Sequence, residues 1–247
     1  MIKFFRRIRQ QLLSENKFSR YLLYAIGEIA LVMIGILLAL QVNNWNEEKK
    51  LNQVKAQLIT NMKLELEIAK SDLESLITIV HAGQPEQALF FKHLNDDTSI
   101  SADSLSHMLK DFLNGIPYSL QLPYYEEAKA SGKLSLFKNK EVLKGYSKII
   151  NLNIGYTLHR NMSTEDYLIG SMWEVRKNAG GYDGLTDRNA ILPKNIRLSD
   201  LEYKNYLRQR EVYSALKNLQ LINEFLLSYL RRMNEAITET LGALEKL

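Results

Sequence analysis

Cysteine is absent from the 247 residues, which removes disulfides, thiolate nucleophiles, iron–sulfur clusters and cysteine-bound zinc in one step. The absence suits either redox compartment and identifies neither. Proline is nearly absent as well: Pro85, Pro117, Pro123 and Pro193 are the four in the chain, so long stretches carry no residue that breaks a helix. Histidine is equally sparse. His81, His93, His107 and His159 show neither H-x-x-x-H nor H-E-x-x-H spacing, which argues for surface or satisfied residues rather than metal ligands. No phosphate loop, dinucleotide fingerprint or G-x-S-x-G elbow occurs. Asp183 and Asp187 in GGYDGLTDRN depart from calcium-loop spacing, leaving a turn-rich loop. No cofactor is implied.

Charge is present but unevenly placed. Lys plus Arg is 32 and Asp plus Glu is 28, a formal +4. Residues 1–20 hold six basic groups (Lys3, Arg6, Arg7, Arg9, Lys17, Arg20) against Glu15. Setting these and Glu28 aside leaves 26 basic and 26 acidic residues over 43–247. The excess is confined to the N-terminal tail, and no basic stripe with interleaved aromatics follows it. Nucleic acid is therefore disfavoured as a partner.

The one long apolar run is YLLYAIGEIALVMIGILLALQV, residues 21–42, with one ionisable group. At about 1.5 Å per residue it spans roughly 33 Å, enough for a hydrocarbon core of about 30 Å. Tyr21 and Tyr24 at its start and Trp45 beyond its end suit the headgroup region. Twenty residues precede the run, and LALQVNN lacks a small-x-small cleavage site. The segment thus reads as an uncleaved signal anchor. Six basic residues precede it, and only Lys49, Lys50 and Lys55 follow closely. The positive-inside rule places the N-terminus in the cytoplasm and residues 43–247 outside it. Within the tail, Ile2, Phe5, Ile8 and Leu12 recur at helical spacing opposite Lys3, Arg6, Arg7 and Gln10. That pattern predicts a short interfacial helix attracted to anionic lipid, with Arg9 adding to its charge.

The opening FFRRIRQQLLSENKFSRYLLYAIGEIALVMIGILLALQVNNWNEEKK and the later YYEEAKASGKLSLFKNKEVLKGY carry a resemblance. The chain resembles a family of uncharacterised single-pass envelope proteins common in Bacteroidota, closely over residues 3–50 and less closely over 124–146. The resemblance implies a Gram-negative inner-membrane protein with a periplasmic helical domain. It implies no activity.

Beyond the run, Asn43 to Ala82 contains no proline or glycine. Leu51, Val54, Leu58, Met62, Leu66, Ala69, Leu73, Leu76 and Val80 recur at three- and four-residue steps, predicting one long helix continuous with the span. Gly83 and Pro85 are expected to end it, with a separate helix over about 86–94. Ser101 or Asp103 is expected to cap a helix to Asn114. Pro117 and Pro123 set a break. Helices follow at 124–131, 139–160 and 164–178, with 131–133 as a turn. A final helix from about Ser199 to Lys246 carries the stripe Val212, Leu216, Leu219, Ile222, Leu226, Leu230, Met233, Ile237, Leu241 and Leu244. Strand signals are sparse. The two long helices are expected to pack antiparallel. The fold class is all-α: residues 1–20 a basic amphipathic cytoplasmic segment with the interfacial helix over 2–13, 21–42 a single transmembrane helix, and 43–247 an elongated extracytoplasmic helical bundle.

Glu28 is the foremost candidate residue. It lies about 10 Å into the span at 1.5 Å per residue, where an ionised carboxylate costs about 2.5 kcal/mol or more. It is expected to be protonated, paired with another chain, or open to water, the competing reading being a carboxylic acid that hydrogen-bonds locally or snorkels towards the near interface. Gly27, Gly35 and Ala39, at spacings of eight and four, are expected on one helix face as small residues that let helices approach. A cluster of Tyr118, Tyr124 and Tyr125 with Glu126 and Glu127 is a second, weaker candidate for a pocket wall. The expected function is that of a non-enzymatic, membrane-anchored component that binds another envelope protein or its own copies. The alternative is a subunit of a proton- or ion-coupled assembly using Glu28.

Overall fold

The computed structural model describes residues 18–96, 99–113, 118–137, 139–179 and 197–247, without the side chains of 18–21, 24, 110–113, 166–169, 174 and 176. The expected interfacial helix with Lys3, Arg6, Arg7 and Arg9, the loop with Asp183 and Asp187, and the side chains of Tyr21 and Tyr24 lie outside the described residues. All regular structure among the described residues is helical: α1 (Phe18–Asn95), α2 (Ala102–Leu113), α3 (Pro123–Ala130), α4 (Lys140–Ile169), α5 (Ser171–Lys177), α6 (Asp200–Leu207) and α7 (Arg210–Glu245), with a 3-10 turn at Lys133–Leu136. The chain divides into two units, Met1–Gln57 and Leu58–Leu247.

The first unit contains the start of α1. Among the described residues this is the one helix long and apolar enough to cross a membrane, near the N-terminus, with an 18-residue window of mean hydropathy 2.3 and none of that window buried. Leu51 and Val54, expected in the apolar stripe, are exposed; inward packing begins only at Leu58.

The second unit has two apolar clusters. One gathers Leu58, Met62, Leu66, Ala69, Leu73 and Leu76 of α1, Val142, Tyr146, Ile149 and Tyr156 of α4, and Leu226 to Leu244 of α7. The other gathers Phe90, Phe91 and Leu94 of α1, Leu105 and Leu109 of α2, Tyr203 and Leu207 of α6, and Val212 to Leu219 of α7.

Four boundaries differ from expectation. Helix α1 continues through Gly83 and Pro85 to Asn95. A proline inside a helix costs about 3 kcal/mol, but Phe90, Phe91 and Leu94 lie beyond it and are at most 5% exposed. Burying such side chains is worth about 1.5–3 kcal/mol each, so packing wins. Helix α4 continues through the expected gap at 161–163, and the Thr164 hydroxyl donates to the Arg160 carbonyl at 2.9 Å instead of capping a new helix. The interruption falls at Gly170.

The expected single C-terminal helix is divided at Arg208–Gln209, where Gln209 is extended (φ −56°, ψ 141°). Arg208 donates to the Leu94 carbonyl (Nε, 2.6 Å) and the Asp96 carbonyl (Nη2, 2.9 Å), and Lys204 Nζ reaches Asp96 O at 2.6 Å. Two cations thus satisfy the carbonyls at the end of α1, where the helix dipole is negative. Elsewhere Ser101 caps α2 as expected, and the helix start expected near Ser199 is capped by that residue. Ser199 and Glu202 form a reciprocal capping box, and Ser101 Oγ accepts from Ser104 N–H at 3.1 Å.

The most extensive backbone approach is between α4 and α7, not between the two longest helices. Gly145 lies against Thr240, Gly155 against Tyr229 and His159 against Phe225, a falling register that makes the pair antiparallel. A Cβ on Gly145 would sit 3.0 Å from the Thr240 Cβ and closer still to its Oγ1.

Gly145→Ala is therefore expected to lower stability by about 1–3 kcal/mol, despite alanine's advantage of about 1 kcal/mol in a helix interior. Thr240→Ala in the same chain should recover part of the loss. Urea unfolding of the full chain in micelles checks both, and a Gly145→Ala variant as stable as the parent would contradict the packing.

Candidate functional site

The predicted intramembrane residues occupy the exposed part of α1. Gly27 and Gly35 have no heavy atom within 4 Å of where a Cβ would stand. Ala39 is exposed and Glu28 is half-buried. At 100° per residue, Gly35 and Ala39 fall about 20° to either side of Glu28 on the helix face. Gly27, expected on the same face as Gly35 and Ala39, lies about 80° from Gly35 and off this line. Trp45 is 66% exposed, with the Lys49 ammonium 5.9 Å from its ring centroid.

The second candidate cluster is only partly assembled. Tyr118 and Tyr124 line a cavity of about 220 Å³ together with Glu65, Ile68, Asp72 and Pro123. Tyr125 instead enters the core, stacked on Tyr146 at 4.5 Å and 7°. Glu126 and Glu127 point away into surface pairs with Lys129 (3.8 Å) and Lys133 (3.2 Å). Such exposed pairs contribute little.

The carboxylate that organises this region is Glu65, 5% exposed. Helix α3 begins with Leu122 at its N-cap, which provides no side-chain oxygen, and Pro123 in its first turn. Its free amides are satisfied from another helix: Tyr124 N–H donates to Glu65 Oε2 at 2.8 Å and Tyr125 N–H to Oε1 at 3.2 Å. The Tyr146 hydroxyl shares its one proton between Glu65 Oε1 (3.1 Å) and the Met62 carbonyl (3.3 Å). A helix N-terminus favours negative charge, so Glu65 caps α3 in place of the missing local residue. Burial raises its carboxyl above the ordinary 4.5, while the bonds from Tyr124, Tyr146 and Tyr125 pull it back down. Burial, and then the neighbouring Glu65 charge, pushes the Tyr146 phenol far up. Burial likewise raises the Tyr118 phenol, reinforced by Asp72 and Tyr156. Both phenols therefore remain protonated donors. Chemically, the arrangement holds α3 and the preceding segment onto α1, and its carboxylate is committed to three donors.

Sequence reasoning missed Glu65. The available signal was its spacing, three residues after Met62 and four before Ala69, which places a carboxylate on the inward side of the stripe. Among the histidines, His159 Nδ1 is 2.9 Å from the Gly155 carbonyl, and its ring lies 5.2 Å from that of Tyr229. Among the described residues, no three His, Asp or Glu side chains are grouped to hold a metal.

Glu65→Ala strands two amides, leaves the Tyr146 hydroxyl with the Met62 carbonyl alone, and is expected to cost about 1–3 kcal/mol or more. Because the folded-state carboxyl titrates above its unfolded value of 4.5, its contribution is complete below that pH and is lost as pH rises through the folded value. The stability of the parent relative to Glu65→Gln should therefore increase on acidification from neutral to below 4.5. Paired urea titrations across that range test the sign, and a flat difference would refute it.

No family model, curated protein or solved structure matches the chain.

Proposed function

We propose that this chain is a membrane-anchored envelope component with no catalytic activity of its own. Its transmembrane helix associates with a second helix, from another copy or another envelope protein, through the Glu28–Gly35–Ala39 face. The N-terminus is cytoplasmic, and residues 43–247 form a periplasmic helical domain. The observation that carries this reading is the alignment of the span's single carboxyl with two small residues. A carboxyl in hydrocarbon favours a partner that hydrogen-bonds to it, and small residues allow the backbone of that partner to come close. The charge asymmetry around the span supports the orientation, and the resemblance over residues 3–50 supports the envelope location.

The cysteine-free background permits a direct test. Single cysteines at Gly27, Gly35, Ala39 and Leu51, oxidised in native membranes, should form dimers or partner adducts most strongly at Gly35 and Ala39. Glu28→Gln keeps a hydrogen-bonding group and should retain most of the adduct. Glu28→Leu should lower it about tenfold, the equivalent of roughly 1.4 kcal/mol, within the range of interhelical polar contacts. Uniform crosslinking around the helix, or none at any position, would reject a specific interface.

A further inference from the structure

The cavity of about 220 Å³ beside the start of α3 combines aliphatic surface, two aromatic rings and two carboxylates. Ile68, Leu120 and Pro123 supply the aliphatic part, and Ile68 is 55% exposed although Leu66 and Ala69 beside it are buried. Tyr118 and Tyr124 supply the rings, Glu65 and Asp72 the carboxylates. Among the described residues no Lys, Arg or His lines the cavity. The three donors to Glu65 are two amides and a phenol. Its lone pairs are occupied, but no cation matches its charge when it is ionised; the N-terminus of α3 offsets roughly half of that charge. Asp72 is exposed and makes no ion pair among the described residues. Its field reaches the wall, since burial and then Asp72 hold the Tyr118 phenol above its ordinary range. Arg160 donates to the Tyr118 carbonyl at 3.3 Å but does not line the cavity.

We propose that this cavity binds a small alkylated ammonium ion, its charge held by the Tyr118 and Tyr124 rings and the Asp72 carboxylate, its alkyl groups against Ile68, Leu120 and Pro123. The sign of the wall excludes anions. Aromatic rings attract cations, and quaternary ammonium groups are the ligands such rings recognise best. The wall has little hydrogen-bonding capacity left to offer. Glu65 already accepts three bonds, and Gln121 donates to Ser119 at 3.0 Å. Recognition therefore rests on charge and ring attraction rather than on directed bonds. That favours an ammonium whose hydrogens are replaced by alkyl groups over one that must surrender hydrogen bonds to water on entry. Size is adequate, since an apolar cavity of about 150 Å³ already accepts benzene. The inference is independent of how the anchor associates, because every lining residue lies in Leu58–Leu247. It leaves the Glu65 cap of α3 intact, because the ligand takes none of that carboxylate's donors.

Thermal melting of the full chain in micelles of an uncharged detergent tests it. Choline chloride is the probe, 3,3-dimethylbutan-1-ol its uncharged isostere, and sodium chloride the control for ionic strength. Choline should give a saturable rise of about 3 °C, as expected for a site filled several-fold above its Kd, and the alcohol and sodium chloride none. Asp72→Asn alters an exposed side chain and should melt like the parent without ligand. It should raise the choline concentration needed for half the effect by about tenfold, through loss of the close opposite charge. Tyr118→Phe keeps the ring and should keep the response, whereas Tyr124→Leu should weaken it and serves as the second variant if Asp72→Asn fails to fold. Equal responses to choline and the alcohol, no response to choline beyond that to sodium chloride, or an undiminished choline response in folded Asp72→Asn or Tyr124→Leu would overturn the proposal.

Discussion

A carboxylate 5% exposed, with two backbone amides and a phenol turned towards it, sets the arrangement of the first cluster. Helix α3 is eight residues long, too short to persist in water on propensity alone, and it lacks a side-chain cap of its own. Glu65 supplies that cap from α1, and Tyr146 delivers a third donor from α4, so a single side chain fixes three helices at one point. Apolar replacements would leave the two amides unsatisfied. The desolvation of the carboxylate is the cost of the arrangement, visible as the upward displacement of its titration. The stacked pair Tyr125–Tyr146 then closes the site against water and strengthens the same bonds.

Away from Glu65, close packing takes over. Gly145 and Gly155 let α4 approach α7 until Thr240 and Tyr229 fill the space a Cβ would need. Their helix-breaking tendency, about 1 kcal/mol each, is offset by burial along the whole shared face, including Tyr146, Ile149, Met233 and Ile237, all fully buried. At the other cluster, polar groups decide an end rather than a face. Lys204, 6% exposed, and Arg208 terminate α1 by taking its last carbonyls. Breaking the helix at Arg208–Gln209 places both cations where those acceptors are.

These details explain which parts of the fold were legible in the sequence. Periodicity reports which face of a helix is apolar, and it located the inward residues of α7 from Val212 to Leu244 and those of α1 from Leu58 to Leu76. Local caps obey local chemistry, so Ser101 and Ser199 were readable as helix starts. Breaks made by tertiary partners were not. Nothing near Arg208 distinguishes it from any exposed arginine, because its acceptors lie more than a hundred positions away. Pro85 misled for the complementary reason: its cost is local and known, whereas the Phe90, Phe91 and Leu94 burial that outweighs it depends on α2, α6 and α7. The tyrosine cluster was half legible, since composition brought Tyr118 and Tyr124 together but gave no means of assigning Tyr125 to the core.

The start of α1 follows a different physical rule from the rest. Leu22, Leu23, Ile26, Ile29, Leu31 and most of their successors to Val42 are more than half exposed. Side chains of this kind are each worth about 1.5–3 kcal/mol when removed from water. So large a continuous apolar surface is not maintained in water without a covering. Under the proposed membrane reading, lipid is that covering, and it also removes the hydrophobic drive for one helix to seek another. What remains to specify association is polarity and shape. In a span rich in bulky aliphatics, those two properties share a helix face at one place. Glu28 supplies the polarity, and Gly35 and Ala39, one helix face further along, supply the close approach.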